Sequence, residues 1–168
     1  MTRRTGPALA VACVVLIGAG CRTTPAPLAH TFESVDALAE SVLDAVARRD
    51  ADTLQSLALS EAEFRSRIWP ELPASRPERN VPFDYAWRDL SQKSGMYLRQ
   101  TLARYGGQRY HLVRVEFLGT TTAYRSFDVA RRTQLVVRDR SGAEQAIRLF
   151  GSVLRSGSQH KLFSYVVD

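Results

Sequence analysis

The chain has 168 residues, a formal net charge of +6, and 45% hydrophobic residues, a balance that excludes a disordered polyelectrolyte and suits one ordinary folded domain. Arginine carries the basic excess and is spread over nearly every segment, while lysine occurs only at Lys93 and Lys161. That dispersion argues against nucleic acid as a partner, because such binders cluster their basic residues among aromatics.

The first element is an export signal. Arg3 and Arg4 are followed by an apolar run from Ala8 to Ile17, and Gly18-Ala19-Gly20 closes it before Cys21. A basic start, a short apolar stretch and small residues make a secretory signal peptide, and the run is too short to span a bilayer, which takes about 20 apolar residues. A cysteine directly after the small residues resembles the lipobox of bacterial lipoproteins, with Gly18 at the position where leucine is usual. The resemblance implies cleavage after residue 20, diacylation of Cys21 and a mature chain anchored in a membrane through its new N-terminus. Cys13 leaves with the signal, so the mature domain holds no disulfide and no free thiol nucleophile. Loss of Arg3 and Arg4 leaves a charge of +4, enough for mild attraction to anionic headgroups or envelope polymers.

Residues 21–31 read as a lipidated tether, since the two prolines, Pro25 and Pro27, and the small residues around them oppose a helix. The domain then runs over 32–168. Val35, Leu38, Ala39, Val42, Leu43 and Val46 recur at helical spacing within Ser34 to Arg49, with Thr31 or Ser34 as N-cap. Asp50 to Asp52 breaks and recaps the chain before a short helix over Thr53 to Leu59. Ser60 and Glu63 have capping-box spacing at the head of a third helix carrying Phe64, Ile68 and Trp69. Four prolines between Pro70 and Pro82 predict a long irregular loop. The longest helix is expected over Asp84 to Tyr105, with an inner stripe of Trp87, Leu90, Ser94, Leu98, Leu102 and Tyr105, a weak point at Gly95 and a stop at Gly106-Gly107.

Beyond Gly107 the texture becomes that of strands: Tyr110 to Gly119, Ser126 to Asp139, Glu144 to Arg155 and His160 to Val167, with hairpin connections at Asp139–Gly142 and Ser156–Ser158. Parity in the first strand groups His111 with Val113, Val115 and Phe117, and predicts that His111 faces inward. Asp128 shares parity with Arg132 and Gln134, which predicts a solvated face with cross-strand charge pairing. The expected fold is α+β, with N-terminal helices packed on a curved antiparallel sheet of about four strands. This order of elements resembles the cystatin-like, nuclear transport factor 2-like fold, and the phrases Trp69-Pro70-Glu71-Leu72-Pro73 and Phe163-Ser164-Tyr165-Val166-Val167-Asp168 are similar to those of uncharacterised bacterial lipoproteins. The resemblance implies a cone with an apolar mouth.

Chemistry is sparsely written. His30, His111 and His160 lie on separate elements with no carboxylate at ligand spacing, so no metal site is expected. A nucleophile elbow and a phosphate-binding glycine loop are both missing, no cofactor is implied, and no catalytic residue is assigned. The fold resemblance implies acid–base candidates inside the cone: Tyr85, His111, Asp128 and Tyr165. For ligand binding the expected residues are His111, Tyr85, Trp87 and Tyr165. Asp168 and the α-carboxylate follow the last strand, either as a binding feature beside arginines or simply where the sheet stops. The favoured function is a membrane-anchored, non-enzymatic envelope module that binds a small apolar ligand or an envelope protein. A small isomerase- or dehydratase-like enzyme, using His111 or a tyrosine, is the competing expectation.

Overall fold

The computed structural model describes residues 27–167, so the signal peptide, Cys21 and Asp168 lie outside the described residues. Helices precede strands, in an α+β arrangement. Helix α1 (Val35–Arg48) is capped by Ser34, whose hydroxyl accepts from the Ala37 N–H, and it buries Leu38, Ala39, Val42, Leu43, Ala45 and Val46. Arg49 ends it in the left-handed conformation, and Asp50 caps α2 (Ala51–Leu57) through the Thr53 N–H. At α3 (Glu61–Glu63) both halves of the Ser60–Glu63 capping box are formed, and the helix continues as a π-helical turn over Phe64–Ile68.

The proline segment is not an irregular loop. It climbs through 3-10 turns at Trp69–Glu71, Pro73–Ser75 and Pro77–Arg79, each with a proline in its first positions. Proline suits the first residues of a helix, where its missing N–H would be unpaired anyway, so these prolines start turns. The Glu71 carboxylate fastens the segment to the loop before β3 by accepting from the Ser126 N–H at 3.0 Å and the Ser126 hydroxyl at 2.6 Å.

Helix α4 (Phe83–Tyr105) runs unbroken through Gly95. Its inner stripe follows the predicted spacing, yet only Leu98 and Thr101 are fully buried, while Trp87, Leu90, Ser94 and Leu102 are half-buried. Gly107 turns the chain at φ 86 and donates its N–H to the Val46 carbonyl at 3.1 Å, joining the end of α4 to α1.

The strand region divides more finely than expected. It forms seven strands: β1 (His111–Phe117), β2 (Thr121–Ala123), β3 (Asp128–Arg131), β4 (Thr133–Arg138), β5 (Glu144–Ile147), β6 (Ser152–Ser156) and β7 (Gln159–Ser164). They make two antiparallel sheets, β1-β4-β5 and β2-β3-β6-β7. Two predicted strands are each split between the sheets, at Arg132, which takes φ 55, and at Arg148–Gly151. The Thr133 N–H and hydroxyl both donate to the Gly151 carbonyl across these breaks. Only glycine fits at 151, because a Cβ there would sit 1.6 Å from the Val166 carbonyl oxygen.

Two apolar clusters result. One unites α1 and α2 with β4, β5, Leu98, Phe150, Leu162 and Tyr165; the other gathers Leu59, Phe64, Ile68, Phe127, Val129 and Leu154, flanked by Trp69, Phe83, Trp87 and Phe163. The described part of the expected tether is docked, not free. Phe32 bridges His160 as an extra strand residue, and Leu28 packs on the second cluster. Between them Ala29 is gripped at both backbone groups: its N–H donates to Glu63 at 2.7 Å, and its carbonyl accepts from the Lys161 ammonium at 2.6 Å. Glu63 and Lys161, 3.4 Å apart, are almost wholly buried.

Candidate functional site

The seam between the two clusters is not filled. A cavity of about 270 Å³ lies there, walled by the end of α2, the middle of α4 and the end of β7. Gln55, Ala58 and Leu59 come from the α2 side, Phe163 and Tyr165 from the β7 side. From α4 come Trp87, Leu90 and Leu98, the apolar stripe, and between them Ser91, Ser94 and Gly95. Small residues in that stripe leave the helix standing off the sheet, which is why so little of α4 is fully buried.

Tyr165 is held at both ends. Its N–H donates to the Ser94 hydroxyl at 3.1 Å, and its phenol donates to the Leu54 carbonyl at 2.6 Å. Burial pushes the phenol pKa up, so the side chain stays neutral and its proton is committed to α2. It is a fixed wall of the cavity and not a proton donor to a ligand.

Among the described residues, Arg99 is the only ionic side chain on the lining. Its Nη1 lies 3.6 Å from the place a Cβ on Gly95 would occupy, so the guanidinium folds back over bare helix backbone at the cavity. No ion pair or hydrogen bond of Arg99 occurs among the described residues. Among the described residues the lining contains neither carboxylate nor imidazole. A neighbouring, shallower groove shares Gln55, Ala58, Leu59 and Trp87 and adds Asp52 and Glu61. Positive charge therefore marks the Arg99 end and negative charge the α2–α3 end.

Of the residues expected from sequence, Trp87 and Tyr165 meet in this cavity. Tyr85 stands on the outside of α4, 66% exposed. His111 is exposed as well, so its expected inward direction is corrected. The pairing of β1 with β4 shifts register between Leu112 and Arg114; this bulge at Val113 breaks the alternation, and Leu112 and Val115 pack on the core instead. His111 lines a separate open depression beside α1, with Glu40 and Asp44. Asp128 pairs across the sheet with Arg155 at 2.7 Å, on a solvated face as expected.

Arg99, Gly95 and Ser94 were not singled out as site residues by sequence reasoning, although a serine in an apolar stripe followed by a helix-interior glycine is the available signal. Among the described residues no group of three or more His, Cys, Asp or Glu could hold a metal ion, and no helix is long and apolar enough to cross a membrane. In comparisons with known proteins, no family model matches the chain, and neither a curated protein nor a solved structure matches it.

Proposed function

We propose that the protein is an exported lipoprotein, anchored through lipid on Cys21, whose domain is a non-enzymatic binding module of the cell envelope. The cavity between α2, α4 and β7 is its ligand site. The observation that carries this reading is the lining itself: apolar walls from Trp87, Leu90, Leu98 and Phe163, a few polar groups, and no proton-transfer pair. Such a pocket is the default binding site of a small domain. A long helix standing off a sheet that is divided at Arg132 and Gly151 also fits a cystatin-like cone with its mouth at this seam. With Arg22 following the cysteine, and not the aspartate that retains some lipoproteins at the inner membrane, the outer membrane is the destination in a two-membrane bacterium.

Two measurements test this. Metabolic labelling with a fatty acid should mark the wild-type chain and not Cys21→Ala, and the mature N-terminus should be the modified cysteine. Purification from native membranes should bring down a reproducible small apolar molecule or envelope protein that is lost when Gly95→Leu fills the cavity. Turnover of a small substrate that depends on His111 would overturn the non-enzymatic assignment.

A further inference from the structure

We infer that the cavity between α2, α4 and β7 takes an anionic amphiphile, a short acyl chain in the apolar seam with its carboxylate on Arg99. The inference rests on the cavity being a ligand site, as proposed above, and adds the ligand's charge, size and direction.

Three observations converge. First, Ala58, Leu59, Trp87, Leu90, Leu98 and Phe163 give the cavity an apolar side, and a volume of about 270 Å³ holds roughly nine non-hydrogen atoms at the ~30 Å³ a water molecule occupies in the liquid. An alkyl chain of about eight carbons fits that space. Second, among the described residues Arg99 is the single formal charge on the lining, and no acidic residue lines it there. Guanidinium binds a carboxylate with two parallel charge-assisted hydrogen bonds. Third, the charge is polar along the slot. Asp52 and Glu61 border the groove at the Trp87 end, and Trp87 is about 18 Å from Arg99 along α4 at 1.5 Å per residue. An anion is therefore attracted at one end and repelled at the other, which fixes the headgroup at Arg99.

Gly95 completes the arrangement. Without a Cβ it lets the guanidinium lie over the helix backbone, 3.6 Å from where that Cβ would be, at the open, solvent-exposed end of the apolar stripe. A Cβ at 95 would meet only the flexible end of Arg99, at an ordinary contact distance of 3.6 Å, and the rest of a leucine would project into the place the guanidinium occupies.

The test titrates the full chain with octanoate, octanol and octylamine below their micellar concentrations, following Trp87 fluorescence in a Trp69→Phe background and heat by calorimetry. Only the component lost in Gly95→Leu counts as binding in the cavity. Octanoate should bind about tenfold more tightly than octanol, a difference of about 1.4 kcal/mol, and octylamine most weakly. Arg99→Gln should erase the preference for octanoate and leave octanol within about twofold, Arg99→Lys should keep part of it, and added salt should narrow it. If octanol binds as tightly as octanoate, or Arg99→Gln leaves the preference intact, the anionic ligand is wrong while the cavity remains a binding site. If none of the three probes binds in a Gly95-dependent way, the cavity is not a ligand site and both readings fall.

Discussion

Removing Glu63 should damage the fold more than removing the lysine it pairs with, although the two side chains share one buried ion pair. The Glu63 carboxylate accepts from the Ser60 N–H at 2.7 Å, the Ser60 hydroxyl at 2.9 Å and the Ala29 N–H at 2.7 Å, with Lys161 farther off at 3.4 Å. Lys161→Met would leave those donors on Glu63 in place. Its main loss is the Ala29 carbonyl's partner, an unmet buried acceptor that costs about 1–3 kcal/mol. Glu63→Ala instead strands the Lys161 ammonium in the core with one neutral acceptor. Breaking a buried pair this way costs about 3–5 kcal/mol, and two N–H groups lose their acceptor as well, at about 1 kcal/mol each. The gap between the variants should be at least about 2 kcal/mol. Urea denaturation reads this as a midpoint about 1 M lower for Glu63→Ala, at a slope of about 1–3 kcal/mol per molar. The double variant should lose about 1–3 kcal/mol less than the two single losses combined. Equal losses for the two single variants, or additivity within about 0.5 kcal/mol, would refute the reasoning.

Acid should weaken the same anchor. Burial raises the Glu63 pKa, but hydrogen bonds from Ser60 and Ala29 and the charge of Lys161 outweigh it and hold it below the ordinary 4.5. A carboxyl depressed in the folded state adds stability that is present above pH ~4.5 and lost as pH falls through the folded pKa, so the gap in melting temperature between wild type and Glu63→Gln should shrink on acidification. Leu98→Ala should cost about 2–3 kcal/mol by chemical denaturation, the low end of the range for core leucines, because its side chain already borders a cavity; an Arg88→Ala control should change little. Tyr165→Phe should lose about 1–2 kcal/mol by leaving the Leu54 carbonyl without its donor, and Gly151→Ala should be among the most damaging single changes, read as a loss of soluble expression or a melting temperature many degrees lower. Asp128→Asn should fall within about 1 kcal/mol of wild type, since its ion pair with Arg155 stays in partial contact with solvent.

What could be read from sequence was local. The helix stripes, the Ser34 cap (one of two candidates with Thr31), the Ser60–Glu63 box, the Gly106–Gly107 stop and the two hairpin turns all depend on neighbours within about four residues and stand where spacing put them, whereas α2 begins at Ala51 on an Asp50 cap, two residues before the expected Thr53. Strand parity was the weak step. One extra residue at Val113 sets the residues before it out of parity with those after it, so with Leu112 and Val115 both turned inward His111 faces solvent. The breaks at Arg132 and Gly151 depend on pairing between segments far apart in sequence, so composition alone offers no sign of two sheets. Lys161 shows the same limit. A lysine in a strand reads as a solvated residue, and only the arrival of Glu63 and Ala29 from distant segments makes its burial possible. The cavity was half legible: Trp87 and Tyr165 stood out as aromatics, whereas Arg99 gains its meaning from the bare backbone at Gly95.

The grip on Ala29 also sets a leash. With Cys21 lipidated as proposed, the chain from the anchor to the gripped residue is eight peptide units, which span at most about 29 Å at ~3.6 Å each. From Lys161, where the leash is made fast, β7 advances toward Tyr165 at the cavity wall, about 13 Å along the strand at ~3.3 Å per residue. The cavity is thus confined to a shell about 40 Å deep over the bilayer. A molecule leaving that bilayer would meet it by a short excursion, with no need to cross the compartment.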